Sequence, residues 1–129
     1  MRSDGFRKAV EAMDLDGALA HLSPSVVLHS PVTFKPFEGK EAVTALFTIL
    51  FRTFEDFRYV GAYASDAGEV LHFRTRVGDR EVEGLDLIRF GDSGLIHDLT
   101  VMVRPRSGLE ALLAEVAPRL ASASSDDPR

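Results

Sequence analysis

The sequence predicts an α+β fold in which a strongly curved antiparallel sheet and three helices from the N-terminal half enclose a pocket, with one more helix at the C-terminal end. Two stretches carry most of this prediction. Residues 82–105 are typical of two long strands joined by a Gly-rich turn, and residues 40–54 are typical of a helix that is apolar around much of its surface. The elements follow the order helix, helix, strand, helix, four strands and a final helix.

The N-terminal half alternates helical spacing with breaks. Apolar residues at helical spacing predict a first helix over residues 3–13 and a second over residues 15–22, separated by an Asp-Leu-Asp-Gly interruption. A short strand is expected over residues 25–30 and ends before a proline. Residues 32–39 are predicted to form a loop, after which residues 40–54 give the strongest helical pattern in the chain.

Two hairpins are predicted in the C-terminal half. The first joins strands over residues 57–64 and 69–77, and the second, residues 82–105, turns at Gly91-Asp-Ser-Gly94. A last helix is expected to begin with a capping box at Ser107 and to break near Pro118.

Length and composition limit the classes of protein. The 129 residues suit one domain, predicted as residues 1–120 with a flexible polar tail over residues 121–129. The absence of cysteine excludes disulfides and thiolate catalysis, and the net charge of −5 disfavours nucleic acid as a partner. Because no apolar run is long enough to span a bilayer and the first residues lack the pattern of a signal peptide, we expect a cytoplasmic protein without membrane contact.

One acid, Asp86, lies inside an otherwise apolar strand and is the best functional clue. Strand alternation places its side chain on the same face as Gly84 and Ile88. Two interpretations stay open. Asp86 is either a structural acid bonded to a buried donor, or a pocket acid whose pKa is raised because apolar surroundings disfavour the charged form. In the second case it could donate a proton or a hydrogen bond to a ligand carbonyl.

Histidine and serine supply the other candidates. His29 and Ser30 are neighbours on the first strand, so only one of them can face the pocket; Ser30 could orient a ligand, or His29 could act as a base at the rim. His97 is predicted on an apolar strand face, either as a core residue or paired across the hairpin with Asp86, which would raise its basicity. We expect no metal, because the histidines have no ligand-like spacing, and we also expect no cofactor.

Several motifs in this order resemble the NTF2-like superfamily, in particular its SnoaL-like and ketosteroid-isomerase-like members. The motifs are Asp14-Leu-Asp-Gly17, Leu28-His-Ser-Pro31, Glu38-Gly-Lys-Glu41 and Leu85-Asp-Leu-Ile-Arg-Phe90, followed by Gly94-Leu-Ile96. The resemblance covers roughly residues 5 to 105. It implies an NTF2-like cone, a pocket for a small apolar molecule and a homodimer through the sheet.

The resemblance also implies residue roles. In ketosteroid isomerases a protonated acid on the corresponding strand donates a hydrogen bond to the developing oxyanion, and that position falls on Asp86. Their general base falls on Ser30 and their oxyanion-binding tyrosine falls on Phe6, and neither side chain carries the group required. We therefore do not expect the isomerase mechanism in that form.

Three hypotheses on function follow. The first is a SnoaL-like enzyme that performs acid–base chemistry of the isomerase, cyclase or hydrolase type on a small hydrophobic carbonyl or epoxide compound, with Asp86, His29 and His97 as catalytic candidates. The second is a protein that binds such a molecule without catalysis, and the third is a dimeric assembly module. The residues expected to line the pocket are Phe6, Ser30, Phe47, Leu71, Phe73, Leu99, Val101 and Val103.

Overall fold

Six strands form one sheet, and four helices pack with it, in the computed structural model, which describes residues 1–125. The helices are α1 (Asp4–Glu11), α2 (Leu15–Leu19), α3 (Lys40–Thr53) and α4 (Arg106–Ser125). The strands are β1 (Leu22–His29), β2 (Phe37–Glu38), β3 (Glu55–Ser65), β4 (Gly68–Val77), β5 (Arg80–Phe90) and β6 (Ile96–Arg104). The predicted α+β fold is confirmed, and β2 is a short strand inside the segment predicted as a loop.

The sheet is mixed, with the strand order β2-β1-β6-β5-β4-β3. Strands β3 to β6 form an antiparallel meander, as predicted. Strand β1 is antiparallel to β2 but parallel to β6, so the sheet is not antiparallel throughout. A parallel pair requires a long connection, and here α3 and four strands lie between β1 and β6 in the chain.

Alternation along the central strands creates one buried face. On β4, Leu71, Phe73, Thr75 and Val77 are buried, as the pattern predicted. On β5, Val82, Gly84, Asp86 and Ile88 are buried. This inner face is covered by helices, and α1 meets α3 where the Phe6 and Phe47 rings lie 6.3 Å apart between centroids. The inner face therefore places Asp86 beneath a roof of aromatic side chains.

A β-bulge changes the face of His97. Asp98 pairs with Arg89 and Ile96 pairs with Phe90, so His97 is an extra residue without a partner position on β5. Ile96 and Leu99 are both buried while His97 is exposed. The prediction that His97 shares the inner face is therefore wrong, because one extra residue reverses the alternation.

The N-terminus of α1 is fixed by a carboxylate from the sheet. Glu69, at the start of β4 and 5% exposed, accepts hydrogen bonds from the backbone amides of Arg2 and Ser3, both at 3.0 Å. The Ser3 hydroxyl makes no capping bond. Helix α1 ends at a turn in which Met13 has a positive φ of 57°, and the Asp14 side chain then caps α2 through the Gly17 amide at 3.0 Å.

The last helix differs from its prediction at both ends. It begins at Arg106, so Ser107 lies in the first turn, and Glu110 accepts a hydrogen bond from Arg106 at 2.9 Å instead of completing a capping box. It passes through Pro118 and continues to Ser125, into the segment predicted as a flexible tail. Alanine-rich sequence favours this continuation. The rest of that tail, residues 126–129, lies outside the described residues. No helix within residues 1–125 is long and apolar enough to cross a membrane.

Candidate active site

A cavity of about 50 Å³ lies between α1, α3 and the inner face of the sheet. Seven aromatic rings line it, together with aliphatic side chains and a single carboxyl group. The lining residues are Phe6, Val10, Met13, Phe47, Leu50, Phe51, Phe54, Phe57, Tyr59, Phe73, Asp86, Leu99 and Val101. The polar side chains in this lining are those of Tyr59 and Asp86, so the chemistry of the cavity is concentrated at one point.

Tyr59 and Asp86 are joined by a short hydrogen bond. The Tyr59 hydroxyl donates to Asp86 Oδ2 at 2.7 Å, and Asp86 is only 8% exposed. Tyr59 on β3 stands opposite Phe73 on β4, which stands opposite Gly84 on β5. The phenol therefore reaches diagonally past β4 to the residue two positions beyond Gly84.

Gly84 makes room for this arrangement. A Cβ at this position would collide with the Phe73 ring and with the Met102 carbonyl oxygen. The Phe73 ring occupies that space and stacks on Phe57, with 5.0 Å between ring centroids. The absence of a side chain at Gly84 thus allows the aromatic rings to pack beside Asp86.

Burial controls the protonation of the pair. Removal from solvent raises the pKa of Asp86 to about 7, although the hydrogen bond from Tyr59 partly opposes this rise. Burial, together with the neighbouring Asp86 carboxylate, raises the pKa of Tyr59 well above its ordinary value. Near neutral pH, Asp86 is therefore present in both protonation states while the phenol keeps its proton.

The cavity is small for an organic ligand. Its volume of about 50 Å³ has room for a few water molecules, whereas pockets for drug-sized ligands measure roughly 300–1,000 Å³. Among the lining residues, Met13 is 47% exposed and lies at the surface end of the cavity. A ligand larger than a few atoms thus requires lining side chains to move.

A second cavity, of about 20 Å³, lies beside the first. Leu50, Phe54 and Val101 line both cavities and form the wall between them. Ser30 lines the second cavity, and it also lines an open groove on the outer surface. The second cavity thus lies between the Asp86 cavity and the surface near the end of β1.

The predicted pocket residues fall in four places. Phe6, Phe47, Phe73, Leu99 and Val101 line the main cavity, and Ser30 lines the second. Leu71 is fully buried opposite Asp86 but lines neither cavity. Val103 lines grooves on the outer face.

Both predicted histidines lie away from Asp86. His29 lines the outer groove, and its Nε2 lies 3.2 Å from Asp98 Oδ2. His97 is exposed in the bulge, and Asp86 stands opposite Val101, so the proposed Asp86–His97 contact across the hairpin is wrong. Asp86 is instead partnered by Tyr59.

The sequence interpretation missed Tyr59. The signal was present, because Phe57 and Tyr59 alternate on a strand next to the predicted β4 and share one face. It also missed Phe51 and Phe54 as lining residues, although Phe47, Phe51 and Phe54 follow helical spacing. Across the part of the chain that the structure describes, no cluster of three or more His, Asp or Glu side chains could hold a metal ion.

The outer face of the sheet carries a second group of charged and apolar side chains. Glu83 accepts hydrogen bonds from Arg104 at 2.8 Å and from His72 Nε2 at 2.7 Å, and these bonds lower the pKa of Glu83 to about 2. Beside this cluster, Leu85 on β5 stands opposite Met102 on β6. Leu85 is 38% exposed and Met102 is 55% exposed.

Comparison with known proteins supports one family. A family profile for the SnoaL-like domain matches residues 4–99. A crystal structure described as a steroid delta-isomerase from Pseudomonas aeruginosa is 40% identical, with a TM-score of 0.87 over 96% of this chain and 92% of that one. No curated protein matches the chain.

More distant structures share the fold. An uncharacterized protein with a cystatin-like fold from Silicibacter pomeroyi is 26% identical, with a TM-score of 0.88 over 96% of this chain and 88% of that one. A SnoaL-like protein of unknown function from Burkholderia thailandensis is 21% identical, with a TM-score of 0.67 over 80% of this chain and 92% of that one.

Proposed function

Since the chain belongs to the SnoaL-like domain family, with an NTF2-like fold, we propose that its cavity binds a small apolar carbonyl or epoxide compound and that Asp86 and Tyr59 carry out acid–base chemistry on it. The observation that carries this proposal is the buried Tyr59–Asp86 hydrogen bond at the wall of an otherwise apolar cavity. The similarity to a protein described as a steroid delta-isomerase supports an apolar, ring-containing ligand.

The pair suits an oxygen atom of a ligand. Protonated Asp86 carries an O–H that can donate to a ligand carbonyl oxygen, while the single O–H of Tyr59 donates to the Asp86 carboxyl group and holds it in place. In an apolar cavity a hydrogen bond to the ligand is stronger than in water. It polarises the carbonyl group and lowers the barrier to removing a proton from the adjacent carbon, because the developing enolate oxygen is stabilised.

A second role is open to the same carboxyl group. With a pKa of about 7, Asp86 is a stronger base than an ordinary carboxylate once it is ionised. It can then accept the proton from the ligand carbon and return it to the same or another carbon. In this role the single O–H of Tyr59 turns from Asp86, which becomes neutral, to the developing enolate oxygen. Because Asp86 both removes the proton and returns it, this role needs neither His29 nor His97.

The alternative is binding without catalysis. The lining residues include one carboxyl group and one phenol, so the cavity offers no separate base to act while Asp86 serves as the acid. This observation favours a protein that holds an apolar carbonyl compound without converting it, should Asp86 stay protonated in the complex.

Deuterium exchange into a bound ketone distinguishes the two. The protein is incubated in D₂O with cyclohex-2-enone. NMR then follows the loss of signal from the hydrogens on the carbons next to the carbonyl group and on the carbons conjugated with it. Binding is measured in parallel by the shift in melting temperature, which rises with ligand concentration over Kd. We expect exchange faster than the buffer rate with wild-type protein, and slower exchange with Asp86→Asn.

Tyr63→Phe is the matched control for Tyr59→Phe, since Tyr63 is a 64% exposed tyrosine on the same strand. Slower exchange is expected only for Tyr59→Phe. Binding without exchange supports the non-catalytic alternative. Absence of binding to cyclohexenones, aromatic ketones and terpenoid epoxides contradicts the proposal altogether.

We further propose that a second copy of the chain packs on the outer face of the sheet, giving a homodimer. The support is the exposed Leu85–Met102 pair beside a cluster in which the Glu83 carboxylate is paired with Arg74, Arg104 and His72. Light scattering after gel filtration is expected to give a dimer at micromolar concentration. Met102→Glu should give a monomer, whereas Leu113→Glu, at a 41% exposed leucine of α4, should not. A wild-type monomer contradicts the proposal.

A further inference from the structure

We propose that the two inner cavities are the ends of one ligand chamber and that the Phe54 side chain sets the length of ligand that fits. The inference rests on the proposed binding of a carbonyl compound at Asp86. It adds a specificity-determining residue, and it defines the ligand of the wild-type protein as a compact molecule about one ring long, held at the Asp86 end.

The wall between the cavities begins next to Asp86. Val101, one of its three residues, is the cross-strand partner of Asp86 in the β5–β6 register. The others are Leu50 and Phe54, one helical turn apart and joined by a backbone hydrogen bond from the Phe54 amide to the Leu50 carbonyl at 3.0 Å. When the oxygen of a ligand is bound at Asp86, the rest of the ligand therefore contacts this wall.

Phe54 is the largest side chain of the wall and lies where α3 ends. Its backbone is already extended, with φ −73° and ψ 134°, because it is the residue after the last helical turn. Its ring is partly buried and tilted against two neighbours, with centroids 5.7 Å from Phe57 and 6.1 Å from Phe73. The side chains of Leu50 and Val101 are smaller, so removal of the Phe54 ring opens the wall more than truncation of either of them.

The space beyond the wall is apolar and leads toward the surface. Leu28, Leu46 and Leu112 line it. Ser30 and Pro31 line both this cavity and the outer groove, which puts them on its surface side. A longer ligand would thus pass from Asp86 at one end to Ser30 at the other.

The test compares a one-ring with a two-ring ligand. The probes are cyclohex-2-enone and its fused two-ring analogue, octalin-2-one, and Kd is measured by calorimetry for the wild type and Phe54→Ala. We expect wild type to prefer the one-ring enone. In Phe54→Ala the two-ring enone should bind at least about tenfold more tightly than it does to wild type, because each buried methylene adds a factor of several to the affinity. The Kd of the one-ring enone should change little.

Two controls test whether the gain in affinity for the two-ring enone comes from access to the second cavity. Phe51→Ala removes a partly buried ring that lines only the main cavity, and it should not produce the same gain for the two-ring enone. Phe54→Ala combined with Ser30→Met places a longer side chain in the second cavity and should abolish the gain. If Phe54→Ala does not fold, Phe54→Leu gives the same comparison with a smaller change in volume.

The outcomes separate this inference from the proposed function. Equal affinity of wild type for both probes overturns the role of Phe54, as does an equal gain in Phe51→Ala or a gain that survives Ser30→Met. In each of those cases binding at Asp86 still stands. Failure of every variant and of wild type to bind either enone overturns the role of Phe54, and failure to bind aromatic ketones and terpenoid epoxides as well contradicts the proposed function itself.

Discussion

Asp86 makes the stability of the protein depend on pH in an unusual direction. Its pKa is raised from 3.8 to about 7 on folding. Between these values the unfolded chain has lost the proton while the folded protein keeps it, so the free energy of unfolding falls as the pH rises. The contribution is complete below about pH 4 and has been lost above about pH 7. The difference between the two pKa values corresponds to about 4 kcal/mol.

Asp86→Asn should remove this pH dependence. We expect the difference in unfolding free energy between wild type and Asp86→Asn to shift in favour of the variant by about 4 kcal/mol from pH 4 to pH 8, because Asn does not ionise. Urea denaturation at several pH values measures it. A difference that does not vary with pH would show that Asp86 is not held in an environment that disfavours its charge.

Tyr59→Phe tests the other half of the pair. The Tyr59 hydrogen bond lowers the pKa of Asp86, so its removal should raise that pKa above about 7. At pH 8 the variant should also lose about 1–3 kcal/mol of stability, because a buried carboxylate oxygen loses its donor. Carboxyl ¹³C NMR titration reads the pKa directly, with exposed Tyr63→Phe as the control. An unchanged Asp86 pKa would contradict the described hydrogen bond.

At the scale of elements, the attachment of α1 decides how firmly the cavity is covered. Helix α1 supplies Phe6 and Val10 to the cavity wall, and the Glu69 carboxylate holds the backbone amides of the two residues that precede it. An anion at a helix N-terminus also interacts favourably with the helix dipole. The roof of the cavity is therefore anchored to the strand that carries Phe73.

Glu69→Gln should weaken the attachment of α1 to the sheet. The side-chain amide of Gln has one oxygen, so it can accept a hydrogen bond from only one of the Arg2 and Ser3 backbone N–H groups. It presents its own N–H to the other. We expect a loss of about 1.5–3 kcal/mol and faster hydrogen exchange in α1. Ser3→Ala is the matched control, because the buried Ser3 hydroxyl finds no partner among the described residues and its removal leaves both amides in place. Equal losses in the two variants would contradict the role of Glu69.

Elements with a long, regular pattern could be predicted from the sequence, and irregular ones could not. Residues 40–54 and the β4–β5 faces were predicted closely, because many apolar residues agree on one period. The bulge at His97 could not be, since one added residue leaves composition and spacing nearly unchanged yet reverses the face. The helix that continues through Pro118 shows tertiary packing and alanine content prevailing over a local breaker.

At the scale of the whole molecule, the site combines residues that no local pattern connects. The acid was identified because it interrupts an apolar strand, but its partner Tyr59 comes from a different strand, two positions away in the sheet. The register that unites them depends on the two turns between β3 and β5 and on shifts in the β3–β4 pairing. The pairing of residues across several strands therefore could not be predicted from the sequence alone.

The parallel pairing of β1 with β6 has a consequence for the order in which the protein folds. Leu22 pairs with Ile96 and Leu28 with Leu99, so these contacts must close a loop containing most of the chain, whereas β3 to β6 are joined by short turns. Because closing a long loop costs entropy before it gains contacts, we expect the meander to form in the transition state and β1 to join afterwards.

Stopped-flow kinetics can check this order. Ile88→Val in β5 should mainly slow folding, and Val26→Ala in β1 should mainly speed unfolding, since both side chains are fully buried. The reverse pattern would place β1 in the folding nucleus. If β1 joins last, the second cavity closes only at the end of folding, because Leu28 and Ser30 belong to its wall. Ligands that stabilise this end of the chamber would then act on the unfolding rate and leave the folding rate unchanged.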